Sequence, residues 1–137
     1  MLLRAKGVWK VTRDSIRIVT NMDFCRLYLW LFMRGTYNLH KMQLPKHGGH
    51  INIISPRIHK KDCSDYLYLN GREVWFYYSV SGNMGGFSRG FRNWWLDVNC
   101  QEAEEVLREF GFKKQDGFSL LHHSIANNKS SALQKLS

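Results

Sequence analysis

Phe118-Ser119-Leu120-Leu121-His122-His123-Ser124-Ile125 reads as a strand, and which way its side chains face decides how the rest of the chain is laid out. Side chains alternate along a strand, so His122 and Ser124 share a face with Phe118 and Leu120, while His123 and Ile125 point the other way. Gly48-Gly49-His50-Ile51-Asn52-Ile53-Ile54 has the same form: His50 and Asn52 share one face, Ile51 and Ile53 the other. The two leading histidines stand 72 residues apart. A lone strand histidine is usually a surface or core residue. Two in matched contexts, each followed two positions on by a short polar group, can place an acid/base pair in one cleft. His123 falls on the opposite face and is expected to be structural. His40, His47 and His59 have no such partner.

The 137 residues are read as a single domain, with 127–137 as a polar tail. Apolar residues make up 44% and aromatic residues 14%. The longest apolar run, Leu27–Met33, is far shorter than a membrane span, and the first residues lack the apolar core of a signal peptide. Cys25, Cys63 and Cys100 are odd in number and scattered, which points to reduced thiols and a cytoplasmic protein. No cysteine or histidine cluster has metal-ligand spacing, so neither a metal nor another cofactor is expected. The net charge of +9 favours a polyanionic partner, with nucleotides and nucleic acids first.

Alternation predicts strands over 7–20, with a turn at Arg13-Asp14-Ser15. A buried helix follows over about 22–34, with Phe24, Leu27, Leu31 and Tyr28 as its apolar stripe and Gly35 as its stop. Tyr66–Leu69, Asn70-Gly71 and Arg72–Tyr78 read as a type I′ hairpin. Its second arm sets Trp75 and Tyr77 on one face, where an aromatic ring can stack a base, and Trp94 is a further stacking candidate. The glycine-rich segment 79–93 is read as a flap carrying Arg89 and Arg92 to phosphate. Trp94–Val98 is a strand. Asn99 and Glu102 form a capping box that opens a helix over Gln101–Phe110, with Val106, Leu107 and Phe110 inward. The expected class is α+β, antiparallel strands with helices outside, and a helix before each His strand hints at a duplicated fold with a cleft between lobes.

From about Lys46 to Asn127 the chain resembles the 2H phosphoesterase superfamily, which carries paired His-x-Thr/Ser motifs on strands. His122-His123-Ser124-Ile125 fits that pattern. His50-Ile51-Asn52-Ile53 fits it with Asn in place of Thr or Ser, and an amide can still donate to a phosphate oxygen. The Gly-Gly-His-Ile-Asn segment, the Asn-Gly-Arg-Glu-Val run and Trp-Trp-Leu-Asp-Val before an acidic helix are similar to the phage anti-CBASS cyclic-oligonucleotide nucleases. The resemblance implies a two-lobed fold whose antiparallel sheets line a central cleft. It implies a metal-independent phosphodiesterase acting on cyclic di- and trinucleotide immune signals, in the host cytoplasm if phage-encoded. His50 and His122 would be the acid and base, and Asn52 and Ser124 would hold phosphate oxygens. The alternatives are an enzyme on RNA ends, such as a 2′,3′-cyclic phosphodiesterase or a 2′–5′ ligase-like protein, and a non-catalytic RNA-binding module.

Overall fold

The computed structural model describes residues 2–35, 42–46, 48–79, 83–84, 93–112 and 121–128. Its strands are β1 (Leu2–Val11), β2 (Ile16–Val19), β3 (His50–Ile54), β4 (Glu73–Ser79), β5 (Asn83–Met84), β6 (Asn93–Asn99) and β7 (Leu121–Asn127). Among the described residues two α-helices, α1 (Met22–Gly35) and α2 (Gln101–Glu109), lie between them. Every strand pairing among the described residues is antiparallel, in the order β4-β1-β2-β3-β7-β6-β5. β4 also pairs with β6, through Tyr77 opposite Asn99 and Tyr78 opposite Val98. That pairing joins the two ends of the sheet. Six strands therefore make a closed barrel with β5 as a short addition to β6.

The two-lobed arrangement is thus not what forms. The His strands β3 and β7 do not sit in separate sheets across a cleft; they are hydrogen-bonded neighbours in one wall. The sequence pattern is compatible with closure, because one face of every long strand is apolar and a single curved sheet can bury all those faces in one lumen. On β1, Gly7, Trp9 and Val11 go inside while Arg4, Lys6, Val8 and Lys10 go outside. Ile16 and Ile18, Ile51 and Ile53, Val74, Phe76 and Tyr78, and Leu96 and Val98 fill the same core. Register shifts between Ile16 and Arg17 and between Trp94 and Trp95 break strict alternation. They account for the consecutive buried pairs Ile53-Ile54 and Ile125-Ala126.

The turn at Arg13–Ser15 forms as expected, with the Thr12 N–H donating to the Ser15 carbonyl at 2.9 Å. Helix α1 also forms, but its buried side is set by Cys25 and Tyr28, and Leu27 and Leu31 are exposed. Phe24 reaches the lumen, packing against Phe76, Tyr78 and His123. The Tyr28 and Tyr78 hydroxyls hydrogen-bond at 2.7 Å. The expected hairpin at Asn70-Gly71 does not form. Ser64–Leu69 is a 3₁₀ helix, started where Asp62 accepts from the Ser64 N–H at 2.9 Å and its hydroxyl at 2.6 Å. Asn70 Oδ1 accepts from the Val11 N–H at 2.9 Å, so the turn is spent anchoring β4 beside β1. Helix α2 is capped at Cys100, with no side-chain cap, in place of the expected Asn99 box. Ala103, Val106 and Leu107 are its buried residues, and Phe110 is partly buried. Asn127, assigned to the tail by its polarity, is instead the buried last residue of β7, bonded through its backbone to Gln43.

Candidate functional site

In the β3–β7 ladder His50 stands opposite Ser124 and Ile51 opposite His123. Continuing that register by one residue sets Asn52 opposite His122. The four residues singled out by the two motifs therefore form one patch on the outer wall of the barrel, two from each strand. Directly opposed Cβ atoms in such a ladder lie about 4.5–5.5 Å apart and diagonal ones about 7–8 Å. The diagonal joins His50 to His122, a separation that two imidazoles can bridge around a phosphate-sized group. The row through Asn52 and His122 continues across the wall. Arg17 is opposite Asn52, Lys10 is opposite Arg17, and Asp97 is opposite His122. The Arg17 Nε is buried without a hydrogen-bond partner, and this residue, a permanent cation, stands opposite Asn52 in the ladder.

Both imidazoles are held through Nδ1. His50 Nδ1 lies 2.8 Å from the Gly48 carbonyl oxygen. A carbonyl only accepts, so the proton is on Nδ1 and Nε2 is the basic nitrogen. His122 Nδ1 is 3.3 Å from Asp97 Oδ1, and the same carboxylate oxygen accepts from Trp95 Nε1–H at 3.2 Å. The Trp95 ring packs on His122 with centroids 5.0 Å apart. A carboxylate oriented by a tryptophan and facing an imidazole is the arrangement that selects one tautomer and holds the ring in place. Sequence reading missed Asp97 and Trp95. Alternation of β6 shows that they share a face, but only the β6–β7 register brings them to His122.

His123, on the inner face, has no exposed surface. Its Nδ1–H donates to the Ser124 carbonyl at 3.0 Å, and Nε2 accepts from the Thr20 hydroxyl at 2.6 Å. Burial holds its pKa down at about 4, and the nearby His50 pushes the same way. Gly49 is needed for this packing. A Cβ there would lie 2.5 Å from Thr20 Oγ1 and 2.6 Å from Cys25 Sγ, so the close approach is to the barrel's own interior.

The outer patch opens into a groove of about 390 Å³. Asn52, His122 and Ser124 line one part; Ser55, Ile58, His59 and Phe112 line another. His50 is not among its lining residues. The remaining candidates scatter. Trp75 and Tyr77 are about half exposed on the outer face of β4, and the Arg4 guanidinium lies 3.8 Å from the Trp75 ring centroid. Trp94 is 3% exposed and offers no ring face to a ligand; the tryptophan at the patch is Trp95. Arg89 and Arg92 lie outside the described residues with most of the expected flap, of which Ser79 ends β4, Asn83 and Met84 form β5 and Asn93 begins β6; His40 and His47 also lie outside them. Cys25, Cys63 and Cys100 are buried free thiols, and burial raises the pKa of each. Among the described residues there is no group of three or more His, Cys, Asp or Glu that could hold a metal, and no helix is long and apolar enough to cross a membrane.

Compared with protein-family models, curated proteins and solved structures, the chain matches none.

Proposed function

We propose that the chain cleaves phosphodiester bonds beside a ribose 2′-hydroxyl, using its two outer histidines as acid and base. The observation that carries this is the β3–β7 register, which joins His50, Asn52, His122 and Ser124 in one patch with both imidazoles held at Nδ1. One Nε2 takes the proton of the 2′-hydroxyl, and that oxygen attacks the adjacent phosphorus. The other imidazole, protonated, gives its proton to the departing 5′-oxygen. The products are a 2′,3′-cyclic phosphate and a free 5′-hydroxyl. Asn52 and Ser124 donate to the non-bridging oxygens, where charge builds in the transition state. Arg17 adds a positive charge one strand away. The chain supplies both proton carriers itself, so cleavage is expected to persist in excess EDTA.

The likeness in local motifs to the anti-CBASS nucleases makes cyclic di- and trinucleotides the first substrate class to try, with RNA ends second. The barrel lends that likeness no support, so the chemistry rests on the four side chains. The test pairs a cyclic dinucleotide with its analogue carrying 2′-deoxyribose at the scissile position, followed by chromatography with mass detection. The ribo compound should be opened and the deoxy compound should bind but stay intact. Efficient cleavage of the deoxy compound rules out attack by the 2′-hydroxyl.

A second reading, an RNA-binding module without catalysis, draws on a different surface. Trp75 and Tyr77 stand half exposed beside Arg4 and Lys6, and base stacking over such rings is worth about 1–3 kcal/mol per base. It predicts salt-dependent RNA binding that Trp75→Ala weakens and His122→Ala does not.

A further inference from the structure

His59 had no partner motif in the sequence, and the proposed chemistry does not use it. In the structure it lines the groove that also contains Asn52, His122 and Ser124. Its state is fixed by a neighbour. The Ser55 backbone N–H lies 2.8 Å from His59 Nδ1, and a backbone N–H can only donate. Nδ1 is therefore the acceptor, and the ring's proton is on Nε2. The Phe112 ring meets the His59 ring edge to face at 4.8 Å and limits its rotation. Ile58, next in sequence, lines the groove while 78% exposed, an unusual setting for a large apolar side chain beside polar groups. The groove thus combines a fixed N–H donor with apolar and aromatic walls. Its volume, about 390 Å³, falls within the roughly 300–1,000 Å³ of small-ligand clefts.

We infer that this part of the groove is a nucleobase subsite, with His59 Nε2–H donating to an acceptor on the base and Ile58 and Phe112 covering its plane. A planar ring bearing hydrogen-bond acceptors is the ligand that such a lining recognises, because the donor is satisfied only by a polar edge and the walls only by an apolar face. The ribose and phosphate of the same nucleotide would then lie toward Asn52, His122 and Ser124. The inference rests on the phosphodiesterase reading for the ligand's class, but it assigns a specificity role to residues outside the proton-transfer patch.

The test is calorimetric titration of the full chain with adenosine 5′-monophosphate and with ribose 5-phosphate, which share all but the base. The nucleotide should bind about tenfold more tightly or better. His59→Phe keeps a ring and removes the donor, and it should weaken nucleotide binding about three- to tenfold, the range of one hydrogen bond. Ribose 5-phosphate binding should not change. Ile58→Ala alters an exposed side chain, so folding is preserved, and it too should reduce only the base-dependent increment. Equal affinities for the two ligands, no measurable nucleotide binding, or an undiminished increment in both folded variants would overturn the subsite. The two readings fail separately. A base increment in a protein that cuts no ribo substrate removes the catalytic reading alone, and cleavage without a base increment removes the subsite alone.

Discussion

His122 and His123 are consecutive on one strand, and the barrel wall runs between them. His122 is half out in solvent, with Asp97 and Trp95 beside it on the outer face. His123 is sealed in the lumen against Thr20, Phe24 and Phe76. The same contrast holds on β3, where Ile51 and Ile53 are core and His50 and Asn52 are reachable from outside. One side chain type serves two purposes here. Outside, an imidazole can exchange protons with a ligand. Inside, desolvation keeps it neutral, and it works as a hydrogen-bonding packing group.

Exchanging the roles of the two faces is the sharpest way to break this contrast. His50→Ala and His122→Ala should each lower the cleavage rate by about 10²–10⁴-fold, with little effect on stability. The double variant should be little slower than either single one. Loss of activity in a folded His123 variant, with normal rates for His122→Ala, would place the working face inside and overturn the assignment.

His123→Ala should act on the other axis. It removes a ring from the lumen and leaves the Thr20 hydroxyl without its partner, a combination expected to destabilise by about 2–4 kcal/mol in urea unfolding. The rate per folded molecule should hold. A variant as stable as the parent would contradict the packed environment of this residue.

The pH dependence of stability comes next in size. His123 has a folded pKa of about 4, below the ordinary imidazole value near 6.5, so the unfolded chain binds the proton more readily between those limits. Its contribution is fully present above about pH 6.5 and is lost as pH falls toward 4, on the order of 3 kcal/mol over that window. His123→Gln keeps a hydrogen-bonding group without the titration. Its unfolding free energy should fall less steeply than the parent's from pH 6.5 to 4, and parallel slopes would refute the assignment.

The smallest expected effect sharpens the outer site. Asp97→Asn keeps the size and removes the acceptor-only carboxylate, so the amide can present a donor to His122 and favour the wrong tautomer. The long, solvent-reached contact limits the cost to about tenfold in rate, with KM unchanged. A variant with an unaltered rate would reduce Asp97 to a surface neighbour.

Much of this was readable one strand at a time. Period-two alternation put His50 with Asn52 and His122 with Ser124, and set His123 on the opposite face, because side-chain direction along a strand is a local property. Charged and apolar residues sorted themselves the same way on β1. The stripe of α1 was read less well. Leu27 and Leu31 fit a helical period, yet the contacts of Cys25, Tyr28 and Phe24 with the barrel choose the buried side. Asn70-Gly71 misled for a similar reason: the dipeptide specifies a tight turn but not the strand that the turn serves.

Strand partnership is where local reading ends. Alternation says which face of β3 and of β7 carries a histidine, but nothing in either segment names its neighbour. Two matched strands suit two lobes as well as one wall. Closure of the sheet through the β4–β6 contact decides between them, because a single lumen can bury the apolar faces of six strands at once. Burial of those faces is a property of the whole sheet, so the pairing that satisfies it is set by strands far apart in the chain. The same long-range register brings Asp97 and Trp95 to His122, and the packing of Phe112 on His59 lines the groove, contacts that span from 25 to 53 residues and leave no mark on any local pattern.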